Sequence, residues 1–322
     1  MIHWILDHLI FVGAALCVLS FLGFVSFWGT AHWYRYFQIK KKFSNRSRPP
    51  QSLFKVVDGI KLHYFKEGSG PDILLIHGLG ANVYCWRKLM PLLSKNHRVW
   101  AIDLKGFGLS EKPRHSSYSL HSQAALLGQF MDDEKVKNLT VVGNSMGSAV
   151  ASQLTLDRQD LVQKVILINS AHDPRMFSLI KPFAKIMKAA TPAAGFFSPF
   201  VNEQSVKLFI RNIYGNEKYE VTDEDVRSYL APYMDGTDSH QAFLSAFQGL
   251  LEHNLTEDLK KIQNRILILW GKGDRVTPLK YGEILHQDLP QSPYFVHPTG
   301  GHHLQEEEPE WVSQQIDNYL QN

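Results

Sequence analysis

The chain of 322 residues carries only two cysteines, Cys17 and Cys85. That is too few for a disulfide framework, and it leaves no cysteine set for a structural zinc site. Such sparing use suits a reducing compartment without requiring one. No internal repeat is visible. A real excess of one charge sign is also missing: the formal net charge is +3, from 34 Lys+Arg against 31 Asp+Glu. Six of the positive residues (Arg35, Lys40, Lys41, Lys42, Arg46 and Arg48) crowd into one stretch with no acid among them. Taking those six from 34 leaves 28 basic residues against 31 acidic ones. No basic face remains to follow a phosphate backbone, so nucleic acid is excluded as a partner.

What is present is the composition of a folded protein, 44% apolar and 20% charged. The length suits one large domain, or a domain with a sizeable insertion. From Leu9 to Ala31 run 23 residues without a charge, rich in Leu, Phe, Val and Ile. As a helix this stretch covers about 35 Å, enough to span a hydrocarbon core with some tilt. Trp4 and His8 stand at one end, and Trp28, Trp33, Tyr34 and Tyr36 at the other, where interfacial aromatics belong. The basic cluster follows the span, which places the long C-terminal part on the cytoplasmic side. A cleaved signal peptide is the competing reading, and Gly29-Thr30-Ala31 offers it a small-x-small site. It lacks a basic leading region, however, and its apolar stretch is too long. The expectation is a single-pass membrane anchor over residues 1–36.

Residues 37–52 are basic and polar with Pro49-Pro50, the composition of a linker. Alternating patterns over Leu53–Val57 and Lys61–Phe65, joined by Asp58-Gly59, predict a hairpin. Short, wholly apolar runs then follow at helical spacing: Ile73–Ile76, Val99–Ile102, Leu139–Val142, Val165–Ile168 and Ile266–Leu269. They suit parallel strands covered by helices on both faces. Between Asn169 and Arg265 the rhythm breaks, and a helical insertion explains that gap better than a loop.

Gly143-Asn144-Ser145-Met146-Gly147 stands directly behind one of these runs. It reads as strand, sharp turn and helix, with a serine at the apex and small residues that let the backbone bend. Alone the pattern is weak, since a GxSxG arises by chance in about one chain in ten of this length. A serine nucleophile also needs a base, an orienting acid and an oxyanion hole. Candidates stand on other post-strand turns. His77-Gly78-Leu79-Gly80 follows Ile73–Ile76 and would free backbone N–H groups near the crevice. Asp274 closes Trp270-Gly271-Lys272-Gly273-Asp274, and His302 and His303 follow the predicted strand Tyr294–His297. The chain order Ser, Asp, His raises these above the bland alternatives of turn acid and surface histidine.

With Asp103-Leu104-Lys105-Gly106-Phe107-Gly108-Leu109-Ser110 and Glu308-Pro309 added, the sequence resembles the α/β-hydrolase superfamily in its cap-bearing branch. The likeness runs from about Leu53 to the C-terminus. It implies a mostly parallel eight-stranded sheet with helices on both faces, over residues 53–172 and 258–322, and a helical cap over 173–257. It further implies Ser145 as nucleophile, His302 as general base and Asp274 as its orienting acid. The backbone N–H groups of Leu79 and Met146 would form the oxyanion hole, while Asp103 would belong to a structural loop. His303 is the alternative base, and the family's Gly-His step favours His302. No metal or organic cofactor is implied.

Dehalogenases and epoxide hydrolases of this fold carry aspartate at the elbow, so serine here implies acyl transfer. Residues Pro174–Asn202 are rich in bulky apolar side chains, among them Phe183, Ile186, Phe196, Phe197 and Phe200, interspersed with Arg175, Lys181, Lys185 and Lys188. Most would pack the cap's own core, but an amphipathic cap of this kind suits contact with lipid. Together with the anchor, the arrangement resembles membrane-anchored monoacylglycerol lipases. The expected activity is therefore a serine hydrolase acting on carboxylic esters, with a lipid ester such as monoacylglycerol as substrate. The alternatives are a carbon–carbon bond hydrolase of ring-fission diketones and a non-catalytic scaffold.

Overall fold

The computed structural model describes residues 51–321 together with Gln38 and Pro49, apart from 179–180, 184, 187–188, 190, 192, 194–199, 216–218, 235, 237 and 253–254. The expected anchor, most of the linker and the aromatic pair Phe196-Phe197 lie outside the described residues. Among the described residues, no helix is long and apolar enough to cross a membrane.

Eight strands form one sheet: β1 (Leu53–Val57), β2 (Ile60–Glu67), β3 (Asp72–Ile76), β4 (Arg98–Ile102), β5 (Leu139–Asn144), β6 (Val162–Ile168), β7 (Arg265–Gly271) and β8 (Tyr294–His297). Their spatial order is β1-β2-β4-β3-β5-β6-β7-β8. Only β2 runs against its neighbours, and β3 to β8 are parallel throughout. The apolar runs explain why. Leu74, Ile76, Val141, Leu167 and Ile268 fill the core on one face, while Ile73, Leu75, Val142, Ile166 and Leu267 fill the core on the other. Strands buried on both faces need apolar residues at every position, and parallel crossovers supply the covering helices.

Two covering helices and one longer segment matter for the site: α1 (Leu120–Asp133), α2 (Met146–Asp157), which opens immediately after β5, and the segment joining β6 to β7. That segment holds α3 (Glu203–Ile213), α4 (Asp223–Met234) and α5 (Asp238–Glu252), with no strand among its described residues. The Asn202 side chain caps α3 by accepting the Gln204 and Ser205 amides, and Ser205 Oγ accepts the Asn202 amide in return. This reciprocal box fixes where the helix starts. Ile210 and Ile213 on α3, and Val226 and Tyr229 on α4, join one sheet-face core; Ala242, Ala246 and Leu250 on α5 join the other. The segment is thus rooted on both faces of the sheet. Helices α6 (Leu279–Asp288) and α7 (Pro309–Gln321) complete the chain.

Candidate active site

Because β3 and β5 to β8 are parallel, the turns after them meet at one edge of the sheet, where open α/β sheets hold ligands. Ser145 sits at the tightest of these turns, with φ +56° and ψ −121°. A side-chain-bearing residue adopts such a backbone only where its surroundings over-determine it. Here the Ser145 amide donates to Ile168 O at 3.0 Å, and Ser145 O accepts the Ser148 amide at 2.9 Å. The elbow also depends on its glycines. A Cβ on Gly143 would fall 2.3 Å from Gly147 O, and one on Gly147 would fall 2.1 Å from Ile76 O. No side chain fits at either position.

The turn after β3 passes beside the serine: a Cβ on Gly78 would meet Ser145 Cβ at 3.2 Å. His77 holds this turn. Its Nδ1–H donates to Gly78 O at 2.7 Å, and its Nε2 accepts the Leu104 amide at 3.0 Å. Together these contacts require the neutral ring, since Nε2 must accept, and burial lowers the His77 pKa against the pull of Asp103. The bond to Gly78 O therefore fixes the peptide whose N–H belongs to Leu79. Met146 is the first residue of α2, where amides have no acceptor within the helix.

Asp274 and His302 are brought together. His302 Nδ1 lies 2.8 Å from Asp274 Oδ2, with both side chains buried. The same carboxylate accepts the Val276 and Thr277 amides, each at 2.8 Å, and Thr277 Oγ1–H at 2.6 Å. An acceptor so placed keeps the ring proton on Nδ1, which donates to it, and leaves His302 Nε2 as the ring's lone-pair nitrogen. His303 turns to other partners. Its Nδ1 lies 2.7 Å from Glu306 Oε1, and Tyr229 on α4 bonds the same carboxylate. Arg87 joins Glu306 to Asp225 on α4, the latter contact at 2.6 Å. Burial pushes the Glu306 carboxyl up, but the hydrogen bond from His303 and the charges around it outweigh that and hold it below the usual carboxylate range.

Two asparagines that sequence reasoning did not single out tie the His302 turn to the sheet. Asn169, at the end of β6, donates through Nδ2 to Gly301 O at 2.6 Å and to His302 O at 2.9 Å; its Oδ1 accepts the Gly271 amide at 2.8 Å. Asn144 Nδ2 also donates to His302 O at 2.9 Å. Asn144 lies inside the elbow motif and Asn169 directly follows an apolar run, which is the only trace of them in the sequence. Among the described residues no group of His, Cys, Asp and Glu has the arrangement to hold a metal ion. Cys85 is buried and its thiol is pushed well above its ordinary pKa by that burial, so it is inert as a nucleophile.

The sequence is similar to those of other hydrolases. YugF, an uncharacterized hydrolase of Bacillus subtilis, is 27% identical over 274 residues, 82% of this chain and 96% of its own. The 2-hydroxy-6-oxo-2,4-heptadienoate hydrolase of Pseudomonas putida is 26% identical over 273 residues, 81% of this chain and 93% of its own. Among solved structures, a bacterial membrane phospholipase A superposes with a TM-score of 0.69 at 23% identity, covering 97% of each chain, a likeness that speaks to the fold. A profile of the alpha/beta hydrolase fold matches residues 71–309, which takes in the Ser145 elbow and the turns of His77, Asp274 and His302. That span is most of the chain, and the protein belongs to the α/β-hydrolase fold family.

Proposed function

We propose that the protein is a serine hydrolase that cleaves carboxylic esters through an acyl-enzyme, with a lipid ester such as monoacylglycerol as its substrate. The observation that carries this reading is the buried Asp274–His302 pair, whose turn is bonded to the elbow residue Asn144 next to Ser145. In this mechanism His302 Nε2 takes the Ser145 hydroxyl proton as Oγ adds to the ester carbonyl. The amides of Leu79 and Met146 receive the oxyanion. Collapse expels the alcohol, which takes the proton back from His302. Water then attacks the acyl-enzyme by the same route, releasing the acid and restoring Ser145.

The lipid assignment draws on the insertion and the N-terminal stretch. Phe183, Ile186, Leu208 and Phe209 are exposed, in company with Lys181, Lys185, Lys207 and Arg211. Exposed apolar side chains with cations beside them in the sequence suit an anionic membrane surface. An anchor over residues 1–36, with the hydrolase domain on the cytoplasmic side, would hold that face near its substrate, and the membrane phospholipase A is similar over nearly the full chain. The relative from Pseudomonas putida supports a second reading, cleavage of a carbon–carbon bond in a dienoic diketone.

Labelling of the full chain by a fluorophosphonate, lost in Ser145→Ala, is the expected result. An unlabelled wild type, or equal labelling of the variant, sinks the serine-hydrolase reading and leaves a scaffold. Turnover of a medium-chain monoacylglycerol should exceed that of a dienoic diketone; the reverse preference selects the second reading. Protease treatment of sealed, right-side-out vesicles should spare the hydrolase domain, and digestion there rejects the cytoplasmic placement.

A further inference from the structure

The turn that carries His302 is held from two sides. Its carbonyls, Gly301 O and His302 O, are taken by Asn169 and Asn144 from the sheet. Its amides go elsewhere. His302 N–H donates at 2.7 Å to Ile213 O, the last residue of α3. Gly301 N–H donates at 3.0 Å to Glu307 Oε1, and the other oxygen of Glu307 accepts the Gly215 amide at 2.9 Å. One carboxylate thus bridges the turn and the residue that follows α3 and its cap.

Backbones at this junction meet without side chains between them. A Cβ on Gly301 would fall 1.9 Å from Gly215 N, and a Cβ on Gly215 would fall 2.7 Å from Gly301 Cα and 3.0 Å from Gly273 O. Gly301 precedes His302 and Gly273 precedes Asp274. The end of α3 therefore rests directly on both turns that bear the acid–base pair. The sheet alone offers that turn little support on this side: β8 is an edge strand, with Phe295 and Val296 exposed. Helix α3 is capped at Asn202 and packed through Ile210 and Ile213.

We propose that the Ile213–Gly215 junction, bridged by Glu307, is a positioning element for His302, so that the insertion sets the base's reach toward Ser145. The inference rests on the roles assigned above to Ser145, His302 and Asp274. A displacement of about 1 Å in such a pair is worth up to about a hundredfold in rate. Gly215→Ala forces α3 away from the turn, and Glu307→Gln keeps the shape but faces one of the two amides with an NH2 group. Both variants are made in the full chain and measured for kcat, KM, the fluorophosphonate labelling rate at Ser145 and the urea midpoint. Both should lower kcat and the labelling rate of the folded protein together, by about tenfold or more, with KM within about twofold. Gln204→Ala, at an exposed position on the same helix, should label at the wild-type rate. Variants that stay folded and label normally, or that raise KM alone, overturn the proposal. Should Gly215→Ala fail to fold, Glu307→Gln decides by the same measures. A wild type that does not label at Ser145 overturns the active-site reading and this inference with it, whereas normal labelling of both variants sinks the positioning role alone.

Discussion

Replacing Asn169 by alanine should be among the most damaging single changes outside Ser145, Asp274 and His302. The side chain is fully buried and makes three hydrogen bonds, to Gly301 O, His302 O and the Gly271 amide. After truncation His302 O retains Asn144, but Gly301 O and Gly271 N–H lose this partner. Each buried group left unsatisfied costs about 1–3 kcal/mol, so the pair costs about 2–6 kcal/mol. Asn169 also has φ +46°, a left-handed backbone that asparagine tolerates and alanine does not, which adds about 1 kcal/mol. The sum, about 3–7 kcal/mol, is a large share of the 5–15 kcal/mol typical of a whole domain. Urea unfolding of the full chain, followed by tryptophan fluorescence, measures it. Asn169→Gly provides the control, because it removes the same bonds but accepts the backbone angle, and it should be no less stable than the alanine variant. Fluorophosphonate labelling should slow in both, since the His302 turn loses its tie to β6. A destabilisation below about 1 kcal/mol with an unchanged labelling rate would refute the reasoning.

Other expectations follow from the same geometry. Gly147→Ala places a Cβ 2.1 Å from Ile76 O and 2.6 Å from His77 O, backbone atoms that cannot turn aside, and should cost about 1–3 kcal/mol or more by urea unfolding; an unshifted midpoint counts against the elbow geometry. Burial lowers the pKa of His172, and likewise that of His240, to about 4, so each is neutral when folded and protonates more readily when unfolded. Stability should therefore be lost as pH falls below about 6.5, by about 2 kcal/mol per histidine at pH 5. His172→Gln should lose less than wild type between pH 7.5 and pH 5, and an equal loss rejects the assignment. Thr277→Val removes the 2.6 Å hydroxyl bond to Asp274 and should lower kcat by several-fold with KM unchanged, whereas an unaltered kcat dismisses its orienting role. Leu208→Asp with Phe209→Asp on α3 should weaken binding to anionic vesicles while leaving turnover of a soluble short-chain ester intact. Unchanged vesicle binding argues against lipid contact at that helix.

Much of the sheet was legible because its signals are local. Every predicted apolar run lies inside an observed strand, and Tyr294–His297 coincides with β8. The ends were read short where polar or small residues continue the ladder, as at Gly143 and Asn144 on β5. The turns bearing Ser145, Asp274 and His302 were visible because glycines mark them. Their clamp was not. Asn169 bonds to residues 132 and 133 positions away, and Asn144 to one 158 away, so nothing nearby in the chain distinguishes either from an ordinary turn asparagine. Glu307 stands in a run of three glutamates that reads as a solvated helix start, yet Glu306 and Glu307 are buried and bonded to the insertion.

The backbone contact between Gly215 and Gly301 also divides the insertion into parts that evolution can treat differently. Upstream of the Asn202 box, side chains such as Phe183 and Ile186 face outward, and their identity can drift with whatever the protein meets. Downstream, where Gly215 meets Gly301, there is no room for even one methyl group. New specificities are therefore most cheaply acquired by rewriting the stretch before α3, and chimeras between family members should be spliced at Asn202 with the glycine junction carried over whole.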